Sequence, residues 1–380
     1  MYHQNIIVDL CRRKMVYLDF AASTPLLPSV KTELFRSFQE DYSNPSSAHQ
    51  MGQSSADKIE IARGKIAESI GAYKSEIVFT SGASESNNLA IKGYLLANTK
   101  KGKHIITSTI EHKCILSICN FLKKEFGYEI TYIAPQVNGI VKAQDIISHM
   151  REDTVLVSIM HVNNELGSIQ PIKEIGDACF KKNIKFHVDA AQSYRKLKID
   201  VDDLNIDFLS LSAHKIYAPK GIGALYIRDI RETKLQPIIH GAGQEFGLRG
   251  GTLATPLILA FATAATDEML SQHQGYFDDL SNYLKRKILN LGWKLNTPVE
   301  HAIPHIINFT VPHFKSQLFI ANSSILCSNG SACSSLNVEA SYVLKEIGLS
   351  TEEGLSTIRV SLGLTTSKED IDELLRQLIH

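Results

Sequence analysis

Short β-branched runs alternate with longer amphipathic stretches between residues 76 and 227, and this alternation constrains the fold of the 380-residue chain most. The runs predict seven strands, at Glu76–Thr80, His104–Ile110, Glu129–Ala134, Thr154–Val162, Ile184–Val188, Asp207–Ser212 and Gly223–Ile227. Apolar residues at helical spacing predict helices between them, at Glu85–Ala97, Lys113–Phe126 and Ile172–Lys182. We therefore expect an α/β fold whose large domain has a seven-stranded, mainly parallel sheet with helices on both faces.

The C-terminal part of the chain has a different pattern and predicts a smaller α+β domain. Its predicted elements are one or two long helices within 256–290, a strand at Ile306–Val311, a helix at Ala340–Ile347, a strand at Thr357–Leu362 and a helix at Lys368–Ile379. Met15 offers a second start site, so residues 1–14 are interpreted as an extension. We expect 15–29 and 256–380 to form the small domain and 30–255 the large one.

Composition excludes several classes of protein. Lys and Arg number 40 and Asp and Glu also number 40, and this zero net charge argues against a general nucleic-acid-binding surface. No apolar run approaches the roughly 18 residues of a membrane span, and the N-terminal charges follow the short apolar run, unlike those of a signal peptide. The six cysteines form no CxxC pair, which argues against a disulfide framework or a zinc site. We expect a cytoplasmic enzyme without a metal centre.

Residues 79–88 (FTSGASESNN) place a Gly/Ser turn between a predicted strand and a predicted helix. The first N–H groups of such a helix have no partner within it and attract anions, and Ser84 adds a hydroxyl. An ordinary helix N-cap would give the same pattern.

Two further motifs lie where apolar strands end. In residues 187–192 (HVDAAQ), Asp189 lies at the carboxyl edge of the sheet, where open α/β folds bind ligands. A carboxylate there can keep a heterocyclic nitrogen protonated, and a helix N-cap is the alternative. In residues 210–221 (SLSAHKIYAPKG), Lys215 directly follows a strand. Burial would lower its pKa and suit Schiff-base chemistry, whereas a lone lysine is usually a solvated charge.

Residues 160–167 (MHVNNELG) bring two amides and a turn glycine to the same edge. These amides suit hydrogen bonding to a phenolate or a carboxylate, although a plain Asn/Gly turn explains them as well. His112, which follows the strand His104–Ile110, adds an aromatic face there or is a structural histidine.

Residues 327–335 (CSNGSACSS) place Cys333 among small residues that cannot bury it, in a segment composed like a mobile loop. An exposed thiol is reactive when its surroundings lower its pKa, and an ordinary free cysteine is the alternative. Cys327 is a candidate relay or a bystander. Arg359, in an apolar strand, needs an anion, either a bound carboxylate or an internal salt-bridge partner.

Taken in this order, the motifs resemble those of the cysteine desulfurases of the nitrogenase and iron–sulfur-cluster type, in the class-V aminotransferase family. These are pyridoxal-phosphate enzymes of fold type I. The resemblance runs from residues 17–25 (YLDFAASTP) and 43–49 (SNPSSAH) to about residue 376, and residues 330–334 (GSACS) are similar to the long-loop group.

The resemblance implies roles for individual residues. Lys215 would bind the cofactor and act as the base at the substrate's Cα, and Asp189 and Gln192 would pair with the pyridine nitrogen and the phenolic oxygen. His112 would stack on the ring. The remaining cofactor and phosphate ligands would be Ala83, Ser84, Asn164, Ser212 and His214, with Thr252 from the second subunit of a homodimer.

The substrate side follows from the same resemblance. Arg359 and Asn164 would bind the carboxylate of L-cysteine. Cys333 would take the sulfur as a persulfide, leave alanine, and pass the sulfur to an acceptor protein. A selenocysteine lyase or another lyase of the same fold would keep the cofactor residues without needing Cys333. A non-catalytic scaffold is a third interpretation, against which the complete set of site residues argues.

Two departures from the housekeeping members bear on the sulfur acceptor. The sequence stops at His380, where those members have a C-terminal extension, and residues 20–23 (FAAS) replace an Asn-rich version. Both favour a specialised desulfurase that serves tRNA thiolation or DNA phosphorothioation instead of general iron–sulfur assembly. We expect it to deliver sulfur to a protein, without binding nucleic acid or a membrane directly.

Overall fold

The computed structural model describes residues 15–329 and 339–379. Its strands are β1 (Val16–Tyr17), β2 (Ile77–Thr80), β3 (His104–Ser108), β4 (Glu129–Ile133), β5 (Thr154–Met160), β6 (Lys185–Asp189), β7 (Phe208–Ser212), β8 (Gly223–Ile227), β9 (Lys294–Leu295), β10 (Ile306–Thr310), β11 (Ile325–Leu326) and β12 (Thr357–Ser361). The predicted extension 1–14 and residues 330–338, which include Cys333, lie outside the described residues.

Helices follow or separate most of these strands. They are α1 (Pro28–Glu40), α2 (Gln50–Glu68), α3 (Ala83–Asn88), α4 (Tyr94–Ala97), α5 (Lys113–Phe126), α6 (Ala143–Ser148), α7 (Ile172–Lys182), α8 (Thr255–Thr266), α9 (Met269–Gln272), α10 (Gln274–Asn290), α11 (Ser316–Asn322), α12 (Tyr342–Glu346), α13 (Thr351–Leu355) and α14 (Lys368–Ile379). In the part of the chain that is described, none of these helices is both long and apolar enough to cross a membrane.

The central sheet has seven strands in the order β2–β8–β7–β6–β5–β3–β4. β3 to β7 pair in parallel, and β8 runs antiparallel to both of its neighbours. Every residue of β5 and β7 is buried, as expected where helices cover both faces. The predicted seven-stranded, mainly parallel sheet is confirmed.

Buried polar groups inside the sheet are paired across strands. The two ring nitrogens of His187 on β6 lie 2.8 Å from Ser158 Oγ on β5 and 3.0 Å from Ser210 Oγ on β7. Such pairs satisfy side chains that would otherwise destabilise the core. His187 is therefore structural, although it lies in the same motif as Asp189.

A second, antiparallel sheet with the order β12–β10–β9 lies in the C-terminal part of the chain, and β1 pairs in parallel with β11. Asp19 and Ser328 each form a bridge to β12, at Ser361 and Arg359 respectively. The β1–β11 pairing supports our proposal that residues 15–29 belong with 256–380 in one small domain. It also brings an N-terminal aspartate beside Arg359.

Candidate active site

A cavity of about 650 Å³ opens at the carboxyl ends of the parallel strands. Chain topology explains why it collects polar residues, since His112 follows β3, Asn164 follows β5, and Asp189 and Ser212 end β6 and β7. The predicted site residues that line it are Ala83, Ser84, His112, Asn164, Asp189, Gln192, Ser212, His214, Lys215 and Arg359. Thr252 is exposed and outside this lining, and Cys333 lies outside the described residues.

Lys215 ends the short 3-10 turn Ala213–Lys215 that directly follows β7. Its Nζ donates hydrogen bonds of 2.6 Å to the carbonyl oxygens of Ala21 and Ala22. Burial and the nearby Arg359 cation lower the pKa of Lys215 to about 8, against the opposing effect of Asp19 and Asp189. At pH 7 roughly a tenth of this amine is therefore neutral and nucleophilic, far more than for an ordinary lysine.

Asp189 is 6% exposed and faces the cavity from the end of β6. Its Oδ2 accepts a 2.8 Å hydrogen bond from Asn87 Nδ2, and its Oδ1 accepts one of 2.9 Å from the Ala191 N–H. Both partners are neutral, so among the described residues no cation within ion-pair distance neutralises this carboxylate. It is available to a protonated nitrogen of a bound ring.

The opposite end of the cavity is suited to an anion. Gly82 (φ +150°) precedes α3, whose first N–H groups, at Ala83 and Ser84, have no acceptor within the helix. A Cβ on Gly223 would lie 2.6 Å from Gly82 Cα, so only glycine lets β8 pack this closely against the turn. Ser212 and His214 lie beside it, and burial and Lys215 lower the pKa of His214 to about 4.

Arg359 projects from β12 into the cavity with 5% exposure. Its Nη2 donates 2.7 Å to Asp19 Oδ1 and its Nη1 donates 2.9 Å to the Asn164 carbonyl oxygen. The Nε hydrogen has no acceptor in the described part of the structure. Arg359 thus forms the internal salt bridge and has one buried N–H donor that no described residue satisfies.

His112 is exposed to the cavity at the start of α5, where its Nδ1 accepts a 3.2 Å hydrogen bond from the Cys114 N–H. With Nδ1 as acceptor, the neutral ring carries its proton on Nε2. This hydrogen bond fixes the orientation of the imidazole at the mouth of the site.

Asp19, Asn87 and Cys114 are among the cavity residues to which the sequence assigned no role. Asn87 lies in the same motif as Ser84, one helical turn later, and this spacing predicts that both side chains lie on the same face of the helix. Burial and the Asp189 charge raise the pKa of the Cys114 thiol to about 11, and burial raises that of Cys327 to about 12. Both thiols stay protonated at neutral pH, which disfavours either as a nucleophile.

A seven-stranded, mainly parallel α/β sheet with a lysine and an aspartate at its carboxyl edge is the architecture of fold type I enzymes, and a NifS-like protein shares this fold. Residues 16–374 match the family model described as Aminotransferase class-V, and the chain belongs to that family. Pyridoxal phosphate is the cofactor of this family. The site fits this cofactor, since the two hydrogen-bond partners of Asp189 are neutral and the turn before α3 depends on Gly82 and on its close contact with Gly223.

Individual proteins of known activity or structure show which members of this family the chain is similar to. The chain is 44% identical over 375 residues to the cysteine desulfurase IscS of Escherichia coli (strain K12 / DH10B), covering 96% of this chain and 92% of the relative. It is also 44% identical to SspA, solved in complex with cysteine, with a TM-score of 0.81 over 91% of this chain and 98% of that one. A NifS-like protein gives 34% identity and a TM-score of 0.89 over 96% and 98%.

Proposed function

We propose that the chain is a cysteine desulfurase that converts L-cysteine to L-alanine and transfers the sulfur to Cys333 as a persulfide. The observation that carries the proposal is one cavity lined by a lysine of lowered pKa, an aspartate with neutral partners and an arginine with a spare buried donor. The similarity to IscS and to cysteine-bound SspA supports this choice of substrate.

Bound pyridoxal phosphate would supply an electron sink for negative charge at the substrate's Cα. Asp189 would hold a proton on the pyridine nitrogen, and the N–H groups of Ala83 and Ser84 with the Ser212 and His214 side chains would bind the phosphate. Gln192 would donate to the phenolic oxygen, and His112 would lie over the ring. These assignments use residues that share the cavity.

Lys215 would anchor the cofactor and then take the proton from the substrate's Cα. Its lowered pKa suits both tasks, because each needs the neutral amine. Arg359 and Asn164 would orient the substrate by its carboxylate, with the free Nε of Arg359 completing a two-point contact.

Cys333 would act as the nucleophile toward sulfur. Its thiolate would attack the Sγ of the substrate, so that the S–S bond forms as the Cβ–S bond breaks, and protonation of the carbon product would give alanine. Delivery of that sulfur to an acceptor protein, a homodimeric state and a cytoplasmic location belong to the same proposal.

The test pairs the purified protein with its Cys333→Ser variant. Both are expected to show the visible band of the bound cofactor, and only the unaltered protein should form alanine and a protein persulfide from L-cysteine. Alanine formation that survives in the variant would move the assignment to a lyase that needs no acceptor thiol. A protein that takes up no pyridoxal phosphate would contradict the enzyme proposal altogether.

A further inference from the structure

Gln192 lies between two hydrogen-bonding partners that fix the direction of its side-chain amide. It is 5% exposed and lines the cavity. Its Nε2 donates 2.8 Å to the Ala21 carbonyl oxygen, and its Oε1 accepts 3.2 Å from Lys196 Nζ. The Ala21 oxygen also accepts from Lys215, so this amide lies next to the lysine that would carry the cofactor.

Both contacts select the same amide orientation. A rotation of the amide by 180° would bring Oε1 against the Ala21 oxygen, an acceptor against an acceptor. It would also bring Nε2 against Lys196 Nζ, a donor against a donor whenever that amine is protonated. The Ala21 carbonyl oxygen also accepts a hydrogen bond from Lys215 Nζ, and this hydrogen bond would be lost when Lys215 binds the cofactor. The contact from Lys196 lies on the far side of the amide and does not depend on Lys215.

The local backbone explains how Lys196 reaches Gln192. Residues 190–197 form a tight turn after β6, with the Tyr194 N–H donating to Ala190 O and the Lys196 N–H donating to Ser193 O, both at 2.9 Å. Arg195 takes the left-handed conformation (φ 60°), which is uncommon for a residue with a side chain. Tyr194 anchors the turn, being 1% exposed with its hydroxyl 2.7 Å from Ser69 Oγ.

Lys196 is placed here without the partner that a partly buried cation usually has. Among the described residues its Nζ forms no ion pair, and its hydrogen bond to Gln192 Oε1 is the contact that the geometry provides. The titratable groups facing it are Lys215, His214 and the buried His305. Burial and the Lys215 charge lower the pKa of Lys196 to about 7. A purely structural role would favour an apolar side chain, because holding an amine here costs free energy.

We propose that Lys196 is a positioning residue for the cofactor: it holds Gln192 Oε1 so that Nε2 is the atom presented to the cofactor's phenolic oxygen. The inference rests on the proposed function, in which Gln192 donates to that oxygen. Without Lys196 the amide is free to turn its own oxygen toward the phenolic oxygen, and the hydrogen bond is lost. The residue acts through Gln192 and does not touch the cofactor.

The test follows the visible absorption band of the bound cofactor as a function of pH in the purified holoenzyme. A hydrogen bond from Gln192 weakens the hold of the phenolic oxygen on the neighbouring proton, so losing it should raise the midpoint of the titration. We expect Lys196→Met to raise it by about half a unit to one unit, the size of one neutral hydrogen bond. Lys196→Arg, which keeps a donor, should titrate close to the unaltered protein.

Control variants distinguish the positioning of Gln192 by Lys196 from an effect of the Lys196 charge and from a loss of folding. Lys198→Met removes an exposed lysine two residues away and should leave the midpoint unchanged. Gln192→Leu should give the same shift as Lys196→Met, and adding Lys196→Met to Gln192→Leu should add nothing. Lys196→Gln, a neutral donor, should keep most of the native midpoint. Lys196→Ala, which also removes the donor, replaces Lys196→Met if that variant does not fold.

The inference is overturned if Lys196→Met titrates like the unaltered holoenzyme. It is equally overturned if the shift persists in the Gln192→Leu background, because Lys196 would then act through its charge alone. A missing cofactor band in the unaltered protein would instead overturn the proposed function, and this inference with it.

Discussion

At the scale of single residues, Arg359 serves both the fold and the site. Its guanidinium is buried, and two of its nitrogens are held by Asp19 and by the Asn164 carbonyl oxygen. The third nitrogen, Nε, is buried and has no acceptor among the described residues, and we propose that a bound carboxylate contacts this guanidinium from the cavity. The structural and ligand interpretations of Arg359 in the sequence are therefore compatible.

Arg359→Lys should weaken binding of L-cysteine. A lysine has a single ammonium and cannot reach Asp19, Asn164 and a substrate carboxylate together. We expect KM to rise by about ten- to a hundredfold, the loss of one charged hydrogen bond, with a smaller change in kcat. Steady-state alanine formation measures both constants. Arg376→Lys on the exposed face of α14 is the control, and an unchanged KM would contradict the assignment.

The pKa of Lys215 makes cofactor uptake depend on pH. Only the neutral amine attacks the aldehyde of pyridoxal phosphate, and burial lowers the pKa of this amine to about 8. The association rate of the cofactor-free protein should therefore increase with pH and level off above about pH 8 instead of following an ordinary lysine. Stopped-flow absorbance gives this profile. A rate still rising steeply near the pKa of a free lysine would refute the prediction.

At the scale of structural elements, a buried ion pair holds the segment that carries Thr252. Arg63 of α2 donates to both carboxylate oxygens of Glu245, at 2.8 and 2.7 Å, and Glu245 also accepts from the Phe79 N–H of β2. Glu245 and Phe246 adopt positive φ values of 47° and 58°, a strained conformation that these contacts offset. The segment around residues 240–254 is thus fixed to the central sheet.

Arg63→Met should lower the free energy of unfolding by about 3–5 kcal/mol, because it leaves the Glu245 carboxylate buried and unpaired. The double variant Arg63→Met/Glu245→Met removes both charges and should be less destabilised than the single one. Urea unfolding followed by circular dichroism measures the difference. Arg376→Met, which breaks an exposed pair, should change stability by less than about 1 kcal/mol. Equal effects for the two arginines would contradict this account.

The elements that the sequence predicted well are those with a strong pattern. All seven strands of the central sheet were found within about two residues, and α5, α7 and α14 have the predicted bounds. The region 256–290 differs, since the chain is extended at Asp267 and forms three helices instead of one or two.

Other features of the structure were missed. α1 and α2 were not predicted, although α2 has apolar residues at helical spacing, at Ile59, Ala62 and Ile66. Its start is less regular, because it contains Gly52, where a Cβ would lie 2.4 Å from the Ser47 carbonyl oxygen. The support of Asp189 by Asn87 was also missed, because this contact joins residues 102 positions apart. Local periodicity predicts strands and helices, but not which distant side chains meet.

At the scale of the whole molecule, the position of Thr252 bears on oligomeric state. Thr252 is exposed and outside the cavity of its own chain, although the resemblance assigns it to the phosphate site. Gly250 and Gly251 precede it, and a Cβ on Gly250 would lie 2.5 Å from Gly241, so the glycine lets the two sides of this segment pack closely. An exposed segment fixed to the sheet is suited to reach a second copy of the chain. A homodimer in which Thr252 of each chain reaches the phosphate site of the other chain would explain why Thr252 lies outside its own cavity.

Mixed dimers of two inactive variants test this arrangement. Lys215→Ala removes the amine from its own site, and Thr252→Asp would repel the cofactor phosphate in whichever site Thr252 serves. If Thr252 serves the partner's site, each mixed dimer has one site with both residues intact, and random mixing should restore about a quarter of the native activity. If it serves its own site, no intact site forms and activity stays at zero. Alanine formation by the co-expressed, differently tagged chains distinguishes these outcomes, and full activity of Thr252→Asp alone would remove Thr252 from the site.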